Sequence, residues 1–429
     1  MARLTWGTKA GRLALSSCAA LVAVALLAGG YYWWGGPHER RVARQVLDEA
    51  CGGVLPAADL RAVLGDGPFR SGPGRLNTGD AEGDTGDAEA DADDRRQVTC
   101  SVSRATEHGT GRATHDASVE VSVRRVPERK GDDTGTGRAT GHTRGIGALY
   151  PTVSDELPPA ALGHGWQGLF VTGEGLSQPA VGNAATTTVL LDCARGRGGL
   201  LVTVGVEEDD VTLDDPRLRT AYARIATGTA AEASERWGCD ARLGAPLKTV
   251  ALPVDVDEDV PLADADGTCR GLPGRGSRIS RAWEAARSGG PVEVCLLGGG
   301  STGVPAEHSP DEQRRYRLVA EYGPYAESRR LDYQEHFGGS DDRPAPGAAP
   351  AGRIPGGGHW ASAACRDGRG PALFTVRPGD ATDRPEYNKD GTVRAPKASA
   401  ADLAYERAAL TEFARRSAKE HGCAAPKLP

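Results

Sequence analysis

The pattern of apolar and polar positions opens with a run that carries no charge. Residues 13–34, LALSSCAALVAVALLAGGYYWW, hold no Asp, Glu, Lys or Arg. As a helix these 22 residues cover a hydrocarbon core of about 30 Å. Arg3, Lys9 and Arg12 precede the run, and Tyr31, Tyr32, Trp33 and Trp34 close it at headgroup level. Beyond it the pattern changes to short alternating stretches. QVTCSV around Cys100, SVEVSVRRV (118–126), VEVCLL around Cys295 and YRLVAEY (316–322) read as strands. Helices are expected between Pro56 and Gly65, over TAYARIATGTAAEASERWGC ending at Cys239, and over LAYERAALTEFARRSAKEHGC ending at Cys423. A further helix is expected after Cys269, where Ile279, Trp283 and Ala286 fall on one face of a 3.6-residue period.

These elements occur twice. CARGRGGLLVTV (193–204) and CRDGRGPALFTV (365–376) share seven of twelve positions without a gap. Each turns through Gly-Arg-Gly into an apolar run, and each is followed by a helix that stops at Gly-Cys, through Gly238 or Gly422. The front halves match more loosely, with a cysteine before a short helix and another in the next strand. Those two cysteines are 49 residues apart in the first copy and 26 in the second. An acidic, low-complexity insertion over 77–96 accounts for most of the difference. The expected organisation is a cytoplasmic tail (1–12), a transmembrane signal anchor (13–34), repeat 1 (39–247), an extended acidic linker (248–266) and repeat 2 (267–429).

Eight cysteines follow the apolar run: Cys51, Cys100, Cys193, Cys239, Cys269, Cys295, Cys365 and Cys423. None lies in the short C-x-x-C spacing of a metal site. An even set on the long side of one span suits disulfides in an oxidising space, which places the large C-terminal part outside the cytoplasm. A cleaved signal peptide remains the alternative to the anchor. Four cysteines per repeat allow three connectivities, and sequence does not choose among them. Recurrence of the positions points to one pairing used twice. First-to-second and third-to-fourth is the expected one: Cys51–Cys100, Cys193–Cys239, Cys269–Cys295 and Cys365–Cys423.

The segment CGGVLPAADLRAVLG resembles a class of actinobacterial cell-envelope domains that carry Cys-x-x-Leu-x-(x)-x-Asp-Leu before a short helix. CRGLPG at Cys269 is a shorter version. In that class two disulfides and a final Ala-rich helix accompany the motif, often on lipoproteins. The resemblance implies an α+β fold and an envelope location, and it brings no catalytic residues.

Composition sharpens this picture in two places. The chain of 429 residues has 59 Gly, 28 Pro, 5% aromatics and a formal charge of −7. The acidity is local: residues 77–94 hold eight acids and residues 255–266 hold six, with no base in either. Everything else is mildly basic and Arg-rich. No phosphate-binding loop, nucleophile elbow or zinc-helix pattern is present. No cofactor, metal or nucleic acid is therefore expected. The candidate recognition residues are His164 and Trp166 in GHGWQGLF and His359 and Trp360 in GGGHWASA, an echo before the third-cysteine strand. The expected protein is an α+β chain of two tandem disulfide-stabilised domains behind one transmembrane helix. Its expected role is noncatalytic: ligand binding, sensing or assembly at the bacterial envelope, with an unidentified envelope ligand or protein as partner. An envelope hydrolase acting on cell-wall polymer or peptide is the alternative.

Overall fold

The computed structural model describes residues 45–65, 68–73, 97–104, 117–126, 157–172, 184–194, 198–208, 211–255, 258–287, 289–299, 314–337, 349–354, 357–366, 370–379 and 398–429. The tail, the apolar run at 13–34 and the insertion at 77–96 lie outside the described residues. Among the described residues no helix is long and apolar enough to cross a membrane.

Alternation of apolar and polar side chains builds two antiparallel sheets of seven strands each. In repeat 1 the strands are β1 (Phe69–Pro73), β2 (Gln97–Arg104), β3 (Ala117–Val126), β4 (Ala160–Ala161), β5 (Gln167–Thr172), β6 (Ala184–Asp192) and β7 (Gly199–Glu208). Their order across the sheet is β1-β2-β3-β7-β6-β5-β4. Repeat 2 has β8 (Val260–Pro261), β9 (Arg281–Glu284), β10 (Val292–Gly298), β11 (Arg314–Tyr322), β12 (Ala351–Arg353), β13 (His359–Ala364) and β14 (Pro371–Pro378). Their order is β8-β9-β10-β11-β14-β13-β12. Strands β1–β3 thus correspond to β9–β11, β7 to β14, β6 to β13 and β5 to β12. Among the described residues, the two-residue edge strands β4 and β8 are those without a counterpart. Register supports the match, because Cys100 faces Val121 across β2–β3 and Cys295 faces Leu318 across β10–β11.

Among the described residues, helices α1 (Ala57–Leu64), α2 (Pro216–Arg236), α3 (Pro324–Phe337) and α4 (Ala400–Glu420) pack on these sheets. Pro56 occupies the N-cap position of α1 without a side-chain cap, and Gly65 ends the helix with φ 74°. Asp215 caps α2 by accepting from the Arg217 amide, while Ser399 and Asp402 form a reciprocal capping box on α4. Helix α2 buries Tyr222, Ile225 and Ala226 against Val121, Val202 and Val204. Helix α4 buries Leu410, Phe413 and Ala414 against Leu318, Ala320 and Phe374. Four disulfides bind the scaffold in the expected connectivity: Cys51–Cys100, Cys193–Cys239, Cys269–Cys295 and Cys365–Cys423. In each repeat one bond pins the segment ahead of β1 or β9 to the strand that follows, β2 or β10. The other ties the end of the closing helix to the turn before the last strand.

The opposite faces of the two sheets meet each other. Leu169, Leu190 and Leu201 of sheet 1 pack with Trp283, Val294 and Leu296 of sheet 2 in one buried cluster. Helix α3 covers the rest of the same face of sheet 2, where Ala326 and Tyr333 sit on Trp360 and Leu373. The layers therefore run helix, sheet, sheet, helix, with α3 beside repeat 1.

Two expectations are corrected here. The segment after Cys269 is not a helix: it passes through turns around Gly271 and Gly276 and becomes strand β9. Ala282 faces α4's side and Trp283 the other, a period of two that the apolar spacing of Ile279, Trp283 and Ala286 concealed. The stretch 248–266 is not extended linker throughout. Val250 is buried in repeat 1, where its carbonyl accepts from Arg219 Nε at 3.2 Å, and Arg224 donates to the carbonyl of Leu247. Val260–Pro261 pairs with β9, and Leu262 is buried in repeat 2. Apolar residues at both ends of the acidic stretch draw it into the two cores.

Candidate functional site

A connected set of buried polar side chains gathers beneath the end of α4. Ser417 is on the helix, His421 caps it, Glu293 stands on β10 two residues before Cys295, and Tyr322 ends β11. Ser417 Oγ donates to Glu293 Oε2 at 2.5 Å, and His421 Nε2 lies 2.9 Å from Glu293 Oε1. A hydroxyl has one proton to give, so the 2.5 Å contact between Tyr322 and Ser417 is donated by the phenol. The Tyr322 ring stacks on the His421 imidazole with centroids 3.7 Å apart. Donation runs from Tyr322 through Ser417 to a carboxylate that also receives His421.

The surroundings fix the charge state of this carboxylate. Burial pushes Glu293 up, but the hydrogen bonds from His421 and Ser417 outweigh it and hold the group below the ordinary glutamate range. Burial, and then the Glu293 charge, push the Tyr322 phenol far up. Arg416 is drawn down by its own burial; it donates to the backbone carbonyls of Thr268 and Arg270, beside Cys269. All four members of the cluster are nearly closed to solvent, Ser417 at 0% exposure and His421 at 7%.

A second buried pair holds the other end of α4. His359 Nδ1 on β13 lies 3.0 Å from Glu406 Oε2, with exposures of 4% and 1%. Near the helix start, Asp402 receives Ser399, Arg275 and Arg278. The Ser399 hydroxyl first, and then Arg275, hold its carboxyl well below the usual range.

Repeat 1 supplies a control inside the same chain. Counted from the equivalent cysteines, Val98 stands where repeat 2 has Glu293, Trp237 where it has His421, and Ala233 where it has Ser417. Strand register places Arg125 at the position of Tyr322 and Thr187 at that of His359. Both buried histidine–carboxylate pairs therefore belong to repeat 2 alone.

The sequence-based recognition residues fall in non-equivalent places. His164 is exposed, in a left-handed turn with φ 54° between Gly163 and Gly165. Trp166 is buried beside it, and its indole donates to the Ala245 carbonyl at 2.8 Å. Both precede β5. His359 and Trp360 instead lie within β13, the counterpart of β6, and point to opposite faces: His359 toward α4 and Trp360 toward α3. The structure brings His359 to Glu406 and does not bring it to the other candidates. Sequence reasoning passed over Glu293, Ser417, His421 and Glu406. Their signal was the exchange of QVTCSV for VEVCLL, and of WGC for HGC, once the cysteines are aligned.

Among the described residues no three His, Cys, Asp or Glu are grouped to hold a metal ion. Comparison with family models, curated proteins and solved structures finds no match to this chain.

Proposed function

We propose that this chain is a membrane-anchored, extracytoplasmic protein of the bacterial cell envelope with a noncatalytic role in ligand binding, sensing or assembly. Residues 13–34 would supply the anchor, and the domains beyond would stand outside the membrane. The observation that carries this reading is the set of four disulfides, one pair per repeat in equivalent positions. Such bonds persist in oxidising compartments. The noncatalytic part rests on the use made of the titratable groups. Glu293, His421, Glu406 and His359 spend their hydrogen bonds holding α4 to its sheet, inside the protein. A C-terminal reporter active only in the cytoplasm should stay silent, and pull-downs with and without residues 1–36 should recover different partners. Reporter activity, or unchanged partners, would count against the reading.

One observation favours the hydrolase alternative: a serine, a histidine and a carboxylate converge in only one repeat. Its geometry opposes nucleophilic use, because Ser417 gives its proton to Glu293 and not to the imidazole. A fluorophosphonate probe should leave Ser417 unmodified; labelling there would favour the hydrolase.

A further inference from the structure

The two repeats meet through different halves of the same sheet face. Repeat 2 presents its front half, with Trp283 on β9, Val294 and Leu296 on β10, and Val319 on β11. Repeat 1 presents chiefly its back half, with Leu169 on β5, Leu190 on β6 and Leu201 on β7, joined by Val126 at the end of β3. A contact of front on back is heterologous. It does not close on itself, and it leaves the β1–β2 part of one front and the whole of one back outside the contact between the repeats. Repeat proteins solve the same problem with caps.

Each end carries a device of its own. At the front of repeat 1 the positions of Val294, Leu296 and Val319 are taken by the half-buried Thr99 and Ser101 and the buried Ser122, and that of Trp283 by the half-buried Gly72. The apolar knobs that dock repeat 2 are absent from that surface. At the back of repeat 2 lies α3. Ala326 and Tyr333 cover Trp360 and Leu373, and Arg329 Nε reaches the buried Glu321 Oε1 on β11 at 3.3 Å. Gly352 on β12 permits the Trp360 ring beneath this layer, since a Cβ there would fall 2.3 Å from Trp360 Cη2. On repeat 2, α3 occupies the place that repeat 2 itself occupies on repeat 1.

We propose that α3 is a plug over a docking surface shaped for the front half of a second copy of this domain. The hydroxyl-lined front of repeat 1 is the opposite cap, so the chain is a two-unit array stopped at both ends. Its back surface accepts another copy of the chain only when α3 is displaced and an apolar front is offered.

The test uses the full chain in detergent, with molar mass followed by light scattering against concentration. Gln97→Val, Thr99→Val and Ser101→Leu together give repeat 1 an apolar front, and Ala326→Asp loosens α3. The first set alone leaves the chain monomeric. The combination produces dimers and longer chains as concentration rises, and adding Leu373→Asp to it restores the monomer. Assembly by the front set alone, equal to that of the combination, would overturn the plug. So would a combination that stays monomeric with its disulfides and circular dichroism intact, or assembly that survives Leu373→Asp. Where Ala326→Asp prevents folding, Tyr333→Ala replaces it with the same expected outcomes.

Discussion

His421 Nε2 lies 2.9 Å from Glu293 Oε1, so the residue that caps α4 is bound to the strand that carries Cys295. The pair sits between the two disulfides of repeat 2 and completes a belt from β10 through the helix end to Cys423. Glu293→Gln keeps the shape and removes the charge that His421 and Ser417 address. Losing the charge that these buried hydrogen bonds address costs about 1.5–3 kcal/mol. Denaturant unfolding under oxidising conditions should show a loss of that size. The triple change Glu293→Val, Ser417→Ala and His421→Trp installs the residues of repeat 1 and should recover most of it. A Gln variant as stable as the parent would remove the pair from any structural role.

Acid should act on the same group. Glu293 is held below its ordinary value in the folded chain, so around the usual glutamate range the folded state binds fewer protons than the unfolded state. Its contribution is therefore present above that range and is lost as pH falls through it toward the lowered value. Unfolding free energy, followed from neutral pH down to about 3, should fall more steeply in the parent than in Glu293→Gln. Identical slopes would assign the acid sensitivity to other carboxylates.

The bond Cys365–Cys423 closes a loop of 58 residues. The chain-entropy model gives such a loop about 4 kcal/mol. The bond also aligns the last residues along β13, where Ala424 donates to the Ala364 carbonyl and Lys427 to that of Ser362. Replacing both cysteines by Ala should cost about 4 kcal/mol in denaturant titrations and open the C-terminal residues to carboxypeptidase. Retained protection of those residues would show that the backbone bonds alone hold them.

The parts of this architecture that were legible in sequence are written either in neighbouring residues or in positions that recur between the two repeats. The strands around Cys100 and Cys295 alternate, α2 and α4 end at Gly-Cys, and the repeat of the cysteines implies a repeated pairing. The parts that were not legible depend on what lies across a gap. Strand β9 borrowed a helical spacing because Trp283 belongs to the contact with repeat 1 and Ala282 to the contact with α4. Helix α3 gave no apolar stripe, since it buries Tyr325, Ala326, Arg329 and Tyr333 against a face that also holds Glu321. The cluster under α4 draws on residues more than a hundred positions apart, such as Glu293 and Ser417. Only the comparison of the two repeats, position by position, makes it visible without coordinates.

Gly228 tests the packing of repeat 1 by a reversal of sign. It lies inside α2, where Ala in place of Gly ordinarily stabilises by up to about 1 kcal/mol. Here a Cβ would fall 2.7 Å from Pro56 Cβ and 2.8 Å from Pro56 Cγ, at the start of α1. Real Cβ atoms do not approach so closely, and the two helices would have to separate. Overpacking of this kind costs about 1–3 kcal/mol, more than the propensity gain returns. Gly228→Ala should therefore destabilise the protein, measured by denaturant midpoint at unchanged slope. In the Pro56→Gly background the same substitution should lose most of its cost, because the opposing Cβ is gone. Two additive effects in that double-mutant cycle would show that α1 and α2 do not meet at this point.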